Sequence, residues 1–181
     1  MDVTIRPERP DDTPAIARVV EAAFGKRAEA LLVELLRASP SFIPELSLAA
    51  EADGQVVGHV MITTAWLEQE GATDGSRRRP IANLAPLAVD PACQGEGVGS
   101  ALMRAAIARC DERGEPLVVL QGNPPYYERF GFGWSVTSGI TMDLPDWAPR
   151  EAAQVLRLSA YDPAITGHVV LPPAFEECEL D

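Results

Sequence analysis

The 181-residue sequence is short of the residues that staple, metallate or charge a protein positively. Its three cysteines, Cys93, Cys110 and Cys178, form no C-x-x-C and lie far apart, with two histidines for company. Neither a disulfide framework nor a metal site is expected from that inventory. Fifteen Lys and Arg face 27 Asp and Glu, a formal net charge of −12. That balance excludes a protein that grips nucleic acid by general electrostatic attraction. No apolar run approaches the ~18 residues of a membrane span, and Met1–Arg9 carries no signal-peptide pattern. No internal repeat or linker-bounded second domain is visible. A soluble, acidic, cytoplasmic single domain over residues 1–181 is the expectation, with neither nucleic acid nor membrane as partner.

What remains is an ordinary globular composition, 46% hydrophobic and 23% charged, which rules out wholesale disorder. Val3 to Arg6 alternates as a first strand. Asp11, Asp12 and Pro14 open a helix whose stripe is Ile16, Val19, Val20, Ala23 and Phe24, stopped by Gly25. Leu31, Leu32, Leu35 and Leu36 mark a second helix ending at Ser39-Pro40. Leu46–Ala52 and Val56–Trp66 read as a hairpin around Asp53-Gly54. Glu68 to Pro80, with Arg77, Arg78 and Arg79, reads as an exposed loop. Ile81–Val89 is an apolar strand interrupted by Pro86, which points to a bulge or to an edge facing a ligand. A helix follows through Ala101, Leu102, Ala105, Ala106 and Ile107. Leu117–Leu120 is a strand buried on both faces. A short helix over Tyr126–Phe130 and strands around Gln154–Ala160 and His168–Leu171 complete a mixed α/β plan.

The most informative stretch is Gln94-Gly-Glu-Gly-Val-Gly-Ser100, where a strand ends, glycines alternate and a helix begins. Glycine lets the backbone approach a ligand with φ > 0, and a helix start offers unpaired N–H groups to an anion. A diphosphate suits such a loop. It has no Lys for a P-loop, and its G-x-G-x-G spacing is not the dinucleotide fingerprint G-x-G-x-x-G. By itself the loop is as good a structural turn as a phosphate site.

Gln94–Gly99 resembles the Q/R-x-x-G-x-G/A element of the GCN5-related N-acetyltransferases (GNAT), in its place between strand and long helix. Tyr126-Tyr-Glu-Arg-Phe-Gly-Phe132 resembles a second signature of the same family, on the short helix after the next strand. The element order from Val3 to Phe132 fits as well. The tail from Val155 to Phe175 is similar to a subgroup of predicted acetyltransferases ending in two further strands. The resemblance implies a mixed sheet of about seven strands with helices on both faces. Residues 1–132 would bear the motifs and 133–181 would complete the sheet. Acetyl-CoA would lie where the parallel strands Ile81–Val89 and Leu117–Leu120 splay apart. Backbone groups of Leu87, Ala88 and Val89 would pair with its pantetheine amides. Backbone N–H groups of Gln94, Gly95, Glu96, Gly97, Val98 and Gly99 would receive its diphosphate, with Ser100 close by. Asn123 is a further coenzyme ligand in this scheme, or else a helix N-cap.

The reaction implied is acetyl transfer to an amine by direct attack in a ternary complex, without metal. Such a transfer needs a neutral amine, a donor polarising the thioester carbonyl and an acid for the thiolate. The resemblance gives the carbonyl to the N–H near Val89 and the acid role to Tyr127. Read as residues alone, Tyr126 and Tyr127 are an aromatic pair packed beside Phe130 and Phe132. The base is unassigned: Ile81–Val89 contains only Asn83 as an internal polar residue, and His59 has a suitable intrinsic pKa near ~6.5. Cys93 has no histidine neighbour to make it an acyl carrier. A non-catalytic acyl-CoA-binding module and a transferase for another acyl group are the alternatives. The acceptor is not legible, although the acidic surface favours cations by steering, and a homodimer is compatible with the scheme.

Overall fold

The structure, a computed structural model, describes residues 2–69 and 78–178. Its elements in chain order are β1 (Thr4–Pro7), α1 (Thr13–Phe24), α2 (Ala28–Arg37), β2 (Phe42–Ala52), β3 (Gln55–Glu68), β4 (Arg78–Val89) and α3 (Val98–Glu112). They continue with β5 (Leu117–Gln121), α4 (Pro124–Tyr127), β6 (Gly133–Trp134), β7 (Ile140–Met142), β8 (Ala153–Arg157), β9 (Gly167–Val170) and α5 (Ala174–Glu177). Two compact units emerge: residues 1–63, 84–109 and 172–181, and residues 64–83 and 110–171. The long strands β3 and β4 each contribute to both.

In the first unit β1 pairs with β2 and β2 with β3, both antiparallel, and β4 neighbours β3. Ile16, Val19, Val20, Leu32, Val33 and Leu36 of α1 and α2 pack with Ala49, Met61 and Ala88 of the strands. Side chains alternate along a strand, so Ala50 points the other way from Ala49. There, α3 approaches the Ala50 side at Gly58: a Cβ on that glycine would lie 2.9 Å from Leu102 Cδ1 and 3.1 Å from Val98 Cγ1. Helices therefore cover both faces of this unit's sheet. Gly25, with φ of +70°, closes α1 as expected, because a left-handed residue at that point stops the helix.

In the second unit β4 pairs parallel to β5 at Ala82↔Val118 and Asn83↔Val119. Strand β5 then pairs antiparallel to β8, and β8 to β6. The end of β3 pairs with β9, which runs parallel to β7. Ala65, Leu67, Ile81, Leu117, Val119, Ile140, Val155 and Val169 form its core.

Among the described residues the sheet has nine strands, more than the expected seven or so, because β6 and β7 are two and three residues long. Strands that short carry no readable alternation. The exposed-loop reading of Glu68–Pro80 needs correction at both ends. Strand β3 runs to Glu68 and β4 starts at Arg78, whose guanidinium pairs with the Glu68 carboxylate. Arg78 and Arg79 are thus strand residues, while Arg77 lies outside the described residues. Strand β2 begins at Phe42 rather than near Leu46, with an irregular register between Phe42 and Ser47 spanning Pro44.

Candidate active site

The glycine loop is assembled locally. Asp90 follows β4 and accepts a hydrogen bond from the Ala92 N–H at 2.9 Å, capping a 3-10 turn over Pro91–Cys93. The buried Cys93 anchors that turn. Gln94 is extended, and its Nε2 donates back to the Val89 carbonyl at 3.1 Å. Gly95 and Gly97 have φ of +80° and +86°. A Cβ at either would meet nothing within 4 Å. These glycines therefore serve backbone conformation, which costs an L side chain ~1–2 kcal/mol, rather than relief of crowding. The Gly97 carbonyl accepts the Ala101 N–H at 3.0 Å, the first bond of α3.

Residues Gln94 to Gly97 are exposed, whereas Val98 is buried and seats the helix start. The first N–H groups of any helix lack intrahelical partners, and the first turn of α3 carries no acidic side chain. The open cradle over Gly95 and Gly97 and the following helix start fit a diphosphate received by backbone donors. Of the residues assigned to pantetheine, Leu87 and Val89 are half-buried and alternate with buried Ala88.

Tyr127 belongs to the second unit. It ends α4, which opens at Pro124 after Asn123. The Asn123 side chain is exposed and makes no capping bond; its carbonyl instead accepts the N–H groups of Tyr126 and Tyr127 at 3.0 and 3.4 Å. The side-chain N-cap expected as the alternative for Asn123 is therefore not formed. Gly131, with φ of +92°, ends the 3-10 turn Glu128–Phe130 that follows. The Tyr127 ring lies edge-on to Tyr126 at 4.9 Å and to Phe132 at 5.9 Å between centroids. Burial in this apolar setting, with a smaller contribution from Tyr126, pushes the Tyr127 phenol up to about 12. A phenol of ordinary pKa ~10 is already neutral at pH 7, and burial in the cluster extends that range upward.

The other candidates separate clearly. His59 is fully buried, and its Nε2 lies 3.0 Å from Ser47 Oγ and 3.1 Å from Glu8 Oε2. Burial pushes its pKa down against the pull of Glu8. It is a structural residue of the β2–β3 face and not an accessible base. Asn83 is buried, and its Nδ2 has no hydrogen-bond partner among the described residues. Cys110 is buried and its thiol is pushed up to about 12 by that burial, so it is inert. Trp147 is exposed and Trp134 partly so.

Reading by residue type passed over Gly58, Gly122 and Gln154. An isolated glycine inside a strand pattern signals close approach, and Gly58 carries that signal. At Gly122 a Cβ would lie 2.3 Å from Tyr127 Cε2. Gln154 sits in β8 and had no local mark.

A family model described as "Acetyltransferase (GNAT) domain" matches residues 4–135. The chain is 35% identical over 161 residues to the uncharacterized N-acetyltransferase YjhQ of Escherichia coli, covering 87% of this chain and 86% of that protein. It is 32% identical to YhbS of the same organism over 163 residues, 90% of each chain. The crystal structure of E. coli YhbS in complex with CoA superposes with a TM-score of 0.82 at 31% identity, over 96% of this chain and 92% of that one. A Brucella melitensis GNAT family acetyltransferase in complex with acetyl-CoA gives 0.74 at 32%, over 96% and 98%.

Proposed function

The chain belongs to the GNAT acetyltransferase family, and on that premise we propose that it transfers an acetyl group from acetyl-CoA to an amine by direct attack in a ternary complex. One observation carries the proposal: Tyr127 offers a phenol O–H from the aromatic signature, its ring packed against Tyr126 and Phe132. A domain that only binds a coenzyme has no need of such a donor. The coenzyme-bound homologues support the cosubstrate, and the open backbone at Gly95 and Gly97 supports where its diphosphate is held.

Acetyl-CoA supplies an acetyl group activated as a thioester. The chain's share of the work follows from its residues. N–H groups of Gln94 to Gly99, with Ser100 beside them, neutralise the diphosphate by local dipoles, which is how a chain of net charge −12 holds a polyanion. Backbone groups of Leu87 to Val89 orient the pantetheine arm, and Asn123 offers an exposed amide to it. The Val89 N–H donates to the thioester oxygen, where charge develops during attack.

Tyr127 directs its O–H at the sulfur. A phenol held at about 12 is a weaker acid than a free thiol at ~8.5. Its contribution is thus a hydrogen bond to the developing thiolate rather than full proton transfer ahead of bond cleavage. The attacking amine must lose a proton, and β4 offers Asn83, whose buried Nδ2 has no protein partner among the described residues, to hold a relaying water.

A panel of amines, including polyamines, amino acids, aminoglycosides and peptides, incubated with acetyl-CoA and read by released thiol, tests the reaction. Acceptor-dependent thiol release with a matching acetylated product is the expected result. Coenzyme binding without turnover on any amine would move the protein to the class of acyl-CoA-binding modules.

A further inference from the structure

The glutamine in β8 is built into the support of the tyrosine. Gln154 is buried, a neutral amide facing Leu120 of β5 and Trp134 of β6 in the sheet register. Its Nε2 donates to the Gly122 carbonyl at 3.1 Å. The Gly122 N–H donates to the Ala152 carbonyl at 3.0 Å, so both polar groups of this glycine are tied to the β8 side just where β5 has ended. The opposite surface of Gly122 is the Tyr127 ring: a Cβ there would lie 2.3 Å from Cε2 and 2.9 Å from Cδ2. The ring therefore rests on bare backbone, and only glycine permits the contact.

We propose that Gln154 is a positioning residue for Tyr127, clamping the Gly122 carbonyl so that Gly122 forms a rigid floor under the phenol ring. The proposal rests on the reading of Tyr127 as the hydrogen-bond donor to the thiolate. Its chemistry is specific to an amide. The interaction with a carbonyl oxygen requires a donor, which an aliphatic side chain lacks and an ionised Glu would replace with repulsion. Buried amides normally have both ends satisfied, yet Gln154 Oε1 has no partner among the described residues. Retaining a half-satisfied amide in a core position makes sense when the satisfied half has work to do. The interaction spans 32 residues of sequence and holds the carbonyl oxygen that lies two bonds from the Gly122 Cα.

The test uses the fact that the chain has three tyrosines, Tyr126, Tyr127 and Tyr161. With fluorotyrosine incorporated, ¹⁹F NMR gives three resonances, and Tyr127→Phe identifies the one that matters. Gln154→Met, which keeps length and removes the donor, is expected to shift and broaden the Tyr127 resonance while leaving that of Tyr161 in place. Gly122→Ala, which pushes a methyl into the ring, is expected to move the same resonance and stands in should Gln154→Met fold poorly. With an acceptor in hand, Gln154→Met should lower kcat roughly tenfold to a hundredfold, the scale of a small misplacement, with KM for acetyl-CoA unchanged. In the Tyr127→Phe background it should cost little more, because the group it positions is already gone.

An unmoved Tyr127 resonance in a folded Gln154→Met protein overturns the positioning role, whatever the kinetics. Losses that multiply in the double variant overturn it too. A moved resonance together with an undiminished kcat in Tyr127→Phe has a different meaning: it upholds the floor and sinks the role of the phenol.

Discussion

In the unit of residues 1–63, 84–109 and 172–181, buried polarity carries charge. Glu8 receives Arg37 Nε at 2.6 Å, Ser47 Oγ at 2.6 Å and His59. Asp12 takes a two-pronged bond from Arg6 at 2.6 and 3.0 Å, and Arg6 also reaches Glu51 at 2.8 Å. In the unit of residues 64–83 and 110–171, the buried polar side chains are neutral: Asn83, Ser135, Ser138 and Gln154. The charged clusters join residues far apart in sequence and fix β1, β2, β3 and α2 against one another. Of the neutral set, Gln154 bonds the Gly122 carbonyl, on the glycine that meets the Tyr127 ring. A buried charge near Tyr127 would pull its pKa one way or the other; burial, with a smaller contribution from Tyr126, sets it here. The loop proposed to hold the diphosphate lies in the charged unit, yet it uses backbone donors. Buried charge there serves the fold, and the proposed ligand contacts are left to the backbone.

The largest expected effect attacks the charged side of that contrast. Glu8→Gln leaves Arg37 with a lost partner and should cost about 3–5 kcal/mol of stability in chemical denaturation; a cost under ~1 kcal/mol would show that the cluster is ornamental. On the neutral side, Tyr127→Phe should lower kcat by ~10²-fold or more, about 2.7 kcal/mol of barrier at 1.36 kcal/mol per decade, with stability and coenzyme affinity little changed. Tyr127 and Tyr126 losing activity equally as phenylalanines would reduce the pair to packing.

The glycine loop predicts an effect no greater than this. Coenzyme A at a hundredfold excess over its Kd should stabilise the protein by about 2.7 kcal/mol, and Gly97→Val should abolish that gain at a backbone cost of ~1–2 kcal/mol to the free protein. A full thermal shift in the variant would remove the loop from the coenzyme site.

Acid separates the two units most directly. Burial alone would raise the Glu8 carboxyl, but hydrogen bonds from His59, Arg37 and Ser47 outweigh it and pull it down to about 2. Burial likewise lowers His59. Both groups bind protons more weakly folded than unfolded, so both stabilise the fold at neutral pH and lose that contribution on acidification. The His59 share should fade below ~6.5 and the Glu8 share below ~4.5 towards 2. Thermal melts from pH 8 to pH 3 should show the decline, and Glu8→Gln should remove its lower part. By contrast, the Tyr127 phenol at about 12 should add no falling limb to kcat between pH 7 and 10. A tyrosine-dependent loss centred near pH 10 would place the ring in water.

The smallest effect is at Tyr126. Its ring is stacked beneath the Arg129 guanidinium at 4.0 Å, and Tyr126→Phe keeps that face, so kcat should change by no more than a few fold. A large loss confined to Tyr126 would shift the signature by one residue.

Local patterns in this chain are those whose physics is local. Helix α1 with its Gly25 stop, the hairpin at Asp53-Gly54 and the start of α3 after alternating glycines depend on backbone preferences within a few residues. All three are legible from the order of residues. Strand β4 was partly hidden, because Arg78, Arg79 and Pro80 have the composition of a loop, and β6 and β7 are too short for a period. His59 alternates with Val57 and Val60 like a candidate base on an open strand. Its partner Glu8 lies 51 positions away, and only folding makes it a sealed structural group.

The sequence by itself determined the mixed α/β plan, the glycine loop and the aromatic signature, since glycine conformations, helix starts and apolar periodicity are properties of neighbours along the chain. The tertiary structure decided which polar residues are sealed, which carbonyl Gln154 clamps and what the Tyr127 ring rests on. Those depend on contacts across 32 residues between Gly122 and Gln154 and on the burial that follows. Burial, unlike propensity, exists only once the chain has closed on itself.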